Sequence, residues 1–334
     1  VYKRQALLNR LLDSAMQRYF GKSTVAPPVS TAGKASDNLF TYLTGRRDNL
    51  EKRVGELINY SSRMSDPIAT RELVKHLEQR YQELGLNPVK ELSDEHVVRT
   101  WETPAGLKDG TLGIIQIDSM LEAEIPDQAY RRSPEWIHGE SVGTSRAPLA
   151  KLEFAIRALR KQNQLRRKRL GILIYSDEGR DCRYSREKIE QASSLANNVI
   201  VLQQGSAGGN IVIGSRGIRK YQLLVEDKPR DLRPGTKAYD ALRWTNLKTE
   251  AMMQLSSQKD RLGVFVTGIS MKHFPMMLPH RVQANILVSY YKSVSANKVE
   301  EDIHGILGKK GPKWRLNMVS DRPEMLARLS LIHI

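Results

Sequence analysis

TLGIIQIDSML (residues 111–121) and LGILIYSDEGRDCRYSR (residues 170–186) decide the fold of this chain. Each opens on a short, continuous apolar run and stops at a carboxylate. Runs of that kind read as strands covered on both faces rather than half-exposed ones. Between them, SVGTSRAPLAKLEFAIRAL (141–159) spaces its apolar residues as a helix does, over 149–159. A second helix is expected over 185–196, and a further buried strand in NNVIVLQQG at 199–203. Strands alternating with helices predict an α/β fold: a mostly parallel sheet with helices on both faces.

Upstream, Leu50, Val54, Leu57 and Ile58 recur at helical spacing and predict a helix over 39–63. Asp66-Pro67 then opens another, an N-cap carboxylate followed by proline at the first helical position, and Gly85 closes it. PAGLKDG separates two expected strands, 96–102 and 111–118. Beyond Gly217 the order changes to strand 218–226, helix 236–256, strands 262–270 and 282–291, helix 298–307 and strand 314–319. That β-α-β-β-α-β order is the ferredoxin-like unit. The expected domains are therefore 39–214, an α/β domain, and 215–320, an inserted α+β domain, with 321–328 beginning a return to the first.

The two ends read differently. VYKRQ (1–5) and LSLIHI (329–334) resemble the two translated ends of one transposase-type sequencing adapter. Set aside on that ground, they leave 6–328 as an expected piece of a longer protein. ALLNRLLDSAMQRYF (6–20) has one broad apolar face and predicts a helix, followed by a Gly/Pro/Ser/Thr linker to residue 38.

Apolar residues make up 40 % of the 334 positions, and the mean hydropathy of −0.47 is that of a soluble globular chain. No apolar run approaches the roughly 20 residues of a membrane span. The single cysteine, Cys182, excludes an internal disulfide and fits a reducing, cytoplasmic compartment. The net charge of +16 invites a nucleic-acid reading, sharpest at RALRKQNQLRRKRL (157–170). Aromatic residues are only 6 % and none alternates with these cations to stack bases. The cluster reads instead as a helix C-terminus, where cations complement the dipole.

Motif order and spacing over about 48–328 resemble the zinc aminoacylase and glutamate-carboxypeptidase type of metallopeptidase (peptidase family M20). The resemblance implies two zinc ions held by His and carboxylate ligands, an inserted lid that pairs two subunits, and peptide or amino-acid-like substrates. It also implies a place for each ligand, and most of those places are changed. The family's His-x-Asp reads Gln116-Ile117-Asp118: the aspartate that orients the ligand is kept as Asp118 and the ligand itself becomes an amide. The Asp-Asp-Lys that supplies the bridging carboxylate reads Thr144-Ser145-Arg146. The Asp-Glu-Glu that supplies base and ligand reads Asp177-Glu178-Gly179, so that Glu178 keeps the base position. The next ligand station reads Gln203-Gln204, and the lid histidine is absent, with Arg230 and Arg233 near its place. Uncharged groups are poor zinc ligands, and a base without metal-bound water has little to act on.

The reading that follows is a peptidase-like fold without bound metal or cofactor: a binding or scaffold domain and homodimer. Arg146, Arg230 and Arg233 are its candidate anion contacts. One alternative is residual zinc-dependent amide hydrolysis through Glu178. Another comes from 6–20, which is similar to the last helix of ATP-grasp ligases and would make this chain the accessory part of such an enzyme.

Overall fold

A computed structural model describes residues 41–89, 98–121, 123–134, 136–204, 214–231 and 240–326. The expected segment 6–38, both adapter-like ends (1–5 and 329–334) and Arg233 lie outside the described residues. The chain divides into two compact units, the first ending at Gln204.

The first unit is built on a five-stranded sheet. Its strands are β1 (Asn87–Pro88), β2 (Val98–Glu102), β3 (Gly110–Gln116), β6 (Leu170–Tyr175) and β7 (Ala196–Val201), in spatial order β1-β2-β6-β3-β7. β6, β3 and β7 run parallel; β1 and β2 are antiparallel additions at one side. β4 (Arg131–Arg132) and β5 (Ile137–His138) form a separate small hairpin. Alternation along β3 and β6 sends side chains to two cores. Ile115, Ile117, Ile172 and Ile174 meet Leu57, Leu73, Leu77, Tyr81, Ala150 and Ile156 from helices α1 (Arg47–Ile58), α2 (Pro67–Leu84) and α3 (Ala147–Lys161). Leu112, Ile114, Leu173 and Tyr175 point the other way, toward Ile189 and Ala192 of α4 (Arg186–Leu195).

The capping signals act as expected. The Asp66 side chain accepts the Ala69 N–H at 3.0 Å, and Gly85 ends α2 at φ 93°. α3 finishes in Arg160 and Lys161, and the rest of the basic cluster forms a 3₁₀ turn at Leu165–Arg167 before β6. Two expectations need correction. The strand expected to be buried at 199–203 is the sheet's edge strand, where Val199, Ile200 and Val201 are 42–52 % exposed. The helix expected over 39–63 breaks off at Ile58. The chain beyond it runs beside the extension of β3, with Ser119 N donating to the Ser62 carbonyl at 2.9 Å and a parallel bridge from Arg63 to Ser119.

The second unit is a four-stranded antiparallel sheet of β9 (Gly217–Glu226), β10 (Gly263–Met271), β11 (Arg281–Tyr290) and β12 (Lys313–Arg322), in order β10-β11-β9-β12. With α5 (Ala241–Met253) after β9 and α6 (Ser293–Leu307) after β11, this is the ferredoxin-like order read from the sequence. Tyr221, Leu223 and Val225 of β9 and Val282, Ala284, Ile286 and Val288 of β11 pack on Trp244, Val299 and Ile303 of the two helices. Asp240 caps α5 by accepting the Arg243 N–H at 2.8 Å. A two-residue ladder joins β8 (Gly214–Ser215) to β13 (Met325–Leu326). Among the described residues no helix is long and apolar enough to cross a membrane.

Candidate functional site

The C-terminal ends of parallel strands β3 and β6 bring Asp118 and Glu178 together, as strand–loop junctions in open α/β sheets do. Asp118 is buried, and its Oδ2 accepts the Gly179 N–H at 2.9 Å. Its Oδ1 has no hydrogen-bond partner among the described residues. Burial raises its pKa above the ordinary range; the Gly179 N–H opposes this and the charge of Glu178 adds to it. Glu178 sits in a 3₁₀ turn, Glu178–Arg180, and its Oε2 accepts from the Tyr175 hydroxyl at 2.8 Å and the Cys182 thiol at 3.2 Å. Burial, followed by the charge of Glu178, pushes the Tyr175 phenol upward. Asp177 faces elsewhere, accepting the N–H groups of Tyr184 (2.7 Å) and Ser185 (3.1 Å) ahead of α4. Asp181 and Cys182 are consecutive residues at φ 60° and 55°.

Gly179 is crowded. A Cβ placed on it would lie 2.5 Å from the Met64 sulfur and 2.8 Å from its methyl. Met64 is held there by the segment that leaves α1 early, its N–H donating to the Ser119 carbonyl at 3.4 Å.

Behind this segment lies Arg146, which is fully buried. A π-helical turn, Val142–Arg146, delivers it at the start of α3. Its Nη1 donates to the Ile117 carbonyl at 3.2 Å and Ser145 Oγ at 2.9 Å; its Nη2 donates to the Tyr60 carbonyl at 2.9 Å and Ser62 Oγ at 2.7 Å. Burial pushes its pKa down to about 10, with Glu140 acting the other way. The guanidinium is thus a cross-link between β3, the α1 exit and the α3 entry. This corrects the expectation that Arg146 contacts an anionic ligand: its Nη atoms are committed to protein oxygens. Next to it Glu140 meets Arg63 at 2.7 Å, both buried.

No family sequence model matches the chain, and no curated protein matches it by sequence. Structure shows a shared fold. Human carnosine dipeptidase 1 superposes with a TM-score of 0.62 at 12 % identity, over 87 % of this chain and 82 % of that one. The M20 family metallo-carboxypeptidase Sso-CP2 from Sulfolobus solfataricus gives 0.61 at 15 %, over 79 % and 76 %. YxeP of Bacillus subtilis, a dinuclear metal-binding M20 peptidase, gives 0.59 at 11 %, over 87 % and 78 %. The chain has the fold of the M20 metallopeptidases. The resemblance read from motif order therefore holds at the level of fold, including the inserted α+β unit.

A dinuclear zinc centre needs clustered His and carboxylate ligands. The positions that the resemblance matches to metal ligands hold the buried amide of Gln116, the hydroxyls of Thr144 and Ser145, and Gly179, where a Cβ would meet the movable end of Met64. Among the described residues, no three His, Cys, Asp or Glu side chains converge in a way that could hold a metal ion. The residues present do not fit the group. At the fourth station Gln203 is exposed, and its neighbour Gln204 is the one whose side chain lies 3.4 Å from a Cβ built on Gly143. Arg230 belongs to the second unit, where it pairs with Asp227. His76 is stacked on Tyr60 with ring centroids 4.7 Å apart and bonded to Arg53 at 3.0 Å.

Sequence reading missed the role of Met64, because nothing local marks it. It acts only through the early end of α1. It also missed Ser62, whose hydroxyl is shared between Arg146 and the Ile117 carbonyl.

Proposed function

We propose that this chain keeps the M20 fold without its hydrolytic chemistry, works without zinc, and serves as a binding or scaffold module for a peptide or amino-acid-like ligand. The observation that carries this reading is Gly179. By the resemblance it falls at the station of a zinc-binding glutamate, and a Cβ there would lie 2.5 Å from the Met64 sulfur, so that any side chain at 179 requires the Met64 thioether to swing aside. Arg146 adds to it, a buried cation beside Ser145 where the fold's bridging carboxylate would otherwise attract metal. The single cysteine fits a reducing, cytoplasmic setting.

The test is direct. The protein is purified, incubated with excess zinc and dialysed. Metal is then measured by mass spectrometry, alongside hydrolysis of carnosine and a panel of simple dipeptides. Zinc well below one ion per chain and no turnover above buffer are expected. Two tightly held zinc ions, with turnover abolished by Glu178→Gln, would overturn the proposal in favour of a hydrolase.

The same reading includes a homodimer through the second unit. Its edge strand β10 leaves Phe265 (51 %), Ile269 (41 %) and Met271 (50 %) exposed. An open strand edge bearing large apolar side chains is a template for pairing with another strand.

A further inference from the structure

The helix-free face of the second unit is basic at one end. α5 and α6 cover the face formed by Tyr221, Leu223 and Val225. Side chains alternate along a strand, so Leu224 and Glu226 of β9, Arg281 and Gln283 of β11, and Lys313 and Arg315 of β12 point the other way. These line a groove of about 840 Å³ that reaches Ser270 and Lys272 at the β10 side. The pairing register sets Arg281, Glu226 and Lys313 in one row across three strands, with Gln283, Leu224 and Arg315 in the next.

The charges in this groove do not cancel. Glu226 is spent on Arg281 at 2.9 Å. Lys272 lies 5.5 Å from the centre of the Phe274 ring. Lys313 and Arg315 have no acidic partner among the described residues. Both are exposed, and both belong to an edge strand. Further along the same face the register continues with the amides of Gln222, Asn285 and Asn317.

We propose that this groove binds an extended acidic peptide segment. Residues i and i+2 of any extended chain are about 6.7 Å apart, so carboxylates on alternate residues of a bound strand match Lys313 and Arg315 in repeat as well as in charge. The amides beyond them are donors and acceptors suited to peptide groups. A nucleic-acid strand fits less well. It needs aromatic platforms for its bases, and Trp314, the indole that borders the groove, is packed against the helix-side core with its Nε1 donating to the Gly308 carbonyl at 2.9 Å. The proposal rests on the reading of the chain as a binding module, and deepens it by naming the chemistry of the partner.

The experiment uses the full chain and a fluorescein-labelled dodecapeptide of alternating Glu and Thr, followed by anisotropy at low and physiological salt. The Lys-Thr dodecapeptide, a twelve-nucleotide oligo(dT) and inorganic triphosphate serve as comparison ligands. The double variant Lys313→Glu/Arg315→Glu has exposed side chains, and its fold is checked by circular dichroism. Binding of the Glu-Thr peptide that the double variant weakens by about tenfold or more, and that salt weakens further, is expected. Equal affinity in the folded variant overturns the proposal. So does oligo(dT) or triphosphate binding as tightly as the peptide, which would make the groove a general polyanion surface. Zinc binding or turnover by the same preparation would sink the non-catalytic reading while leaving this binding result standing, so the two failures are distinguishable.

Discussion

Asp118 and Glu140 lie on segments joined through Ser119, and the fold displaces their protonation in opposite directions. Burial dominates at Asp118 and raises its pKa. At Glu140 burial is outweighed by the bonds from Arg63 and Ser119, and its pKa falls. Asp118 therefore contributes its stability below the unfolded value of about 3.9 and loses it as pH rises through the native pKa. Glu140 does the reverse: its contribution is present above the unfolded value of about 4.3 and is lost as pH falls through the native one. Asp118→Asn keeps an acceptor for the Gly179 N–H and removes the buried charge. Its melting temperature should exceed that of the parent at pH 7 to 8, and the two should converge near pH 4. A loss of stability at neutral pH would show that the charge is compensated. Arg146→Met leaves Ser62, Ser145 and two carbonyls without their donor, and should destabilise by about 3–5 kcal/mol in urea unfolding. Retention of the parent midpoint would contradict the cross-linking role described above.

The contrast at this scale also shows what the sequence made legible. The element ends that carry Gln116, Ser145 and Gly179 were readable, because apolar runs and the turns after them mark where each strand or helix stops. The uses of the replacements were not, since Arg146 could be read only by charge, and its burial depends on where Tyr60 and Ser62 end up.

Among the elements, the three helices on one face of the first sheet meet at Glu153. It is buried in α3, and its carboxylate takes Arg53 of α1 at 2.7 Å, Arg80 of α2 at 3.0 Å and Arg157 of its own helix. Glu153→Ala would leave Arg53, itself buried, with the more exposed Glu56 at 3.1 Å as its remaining acidic partner, and an expected cost of about 1–3 kcal/mol follows. Differential scanning calorimetry should find the first unit's transition lowered and the second unit's nearly unmoved. Helix starts and stops with side-chain or glycine signals, such as Asp66 and Gly85, were legible. The end of α1 was not, because nothing in NYSSRM breaks a helix; pairing with the end of β3 does so from a distance. β7 was misjudged for a related reason. An apolar run gives a strand's composition, and only the sheet order reveals that it stands at an edge.

At the scale of the whole molecule, the order β10-β11-β9-β12 was recoverable because six elements in β-α-β-β-α-β sequence admit few right-handed arrangements. Oligomeric state was not, since β10 carries no self-complementary motif. Analytical ultracentrifugation at micromolar concentration should give a dimer, and Phe265→Asp should shift it to monomer while preserving the circular dichroism spectrum. A parent that is monomeric throughout would remove the pairing.

The contact between Met64 and Gly179 also bears on engineering. A glutamate placed at position 179 would meet the thioether of Met64 and is admitted only if that flexible, partly exposed side chain swings aside. With Gln116 and Ser145 in place it would find no ligand cluster in return. Libraries aimed at a metal site should therefore yield nothing from single substitutions and gain most where 64, 116, 145 and 179 vary together, since one added carboxylate has no partners with which to share an ion.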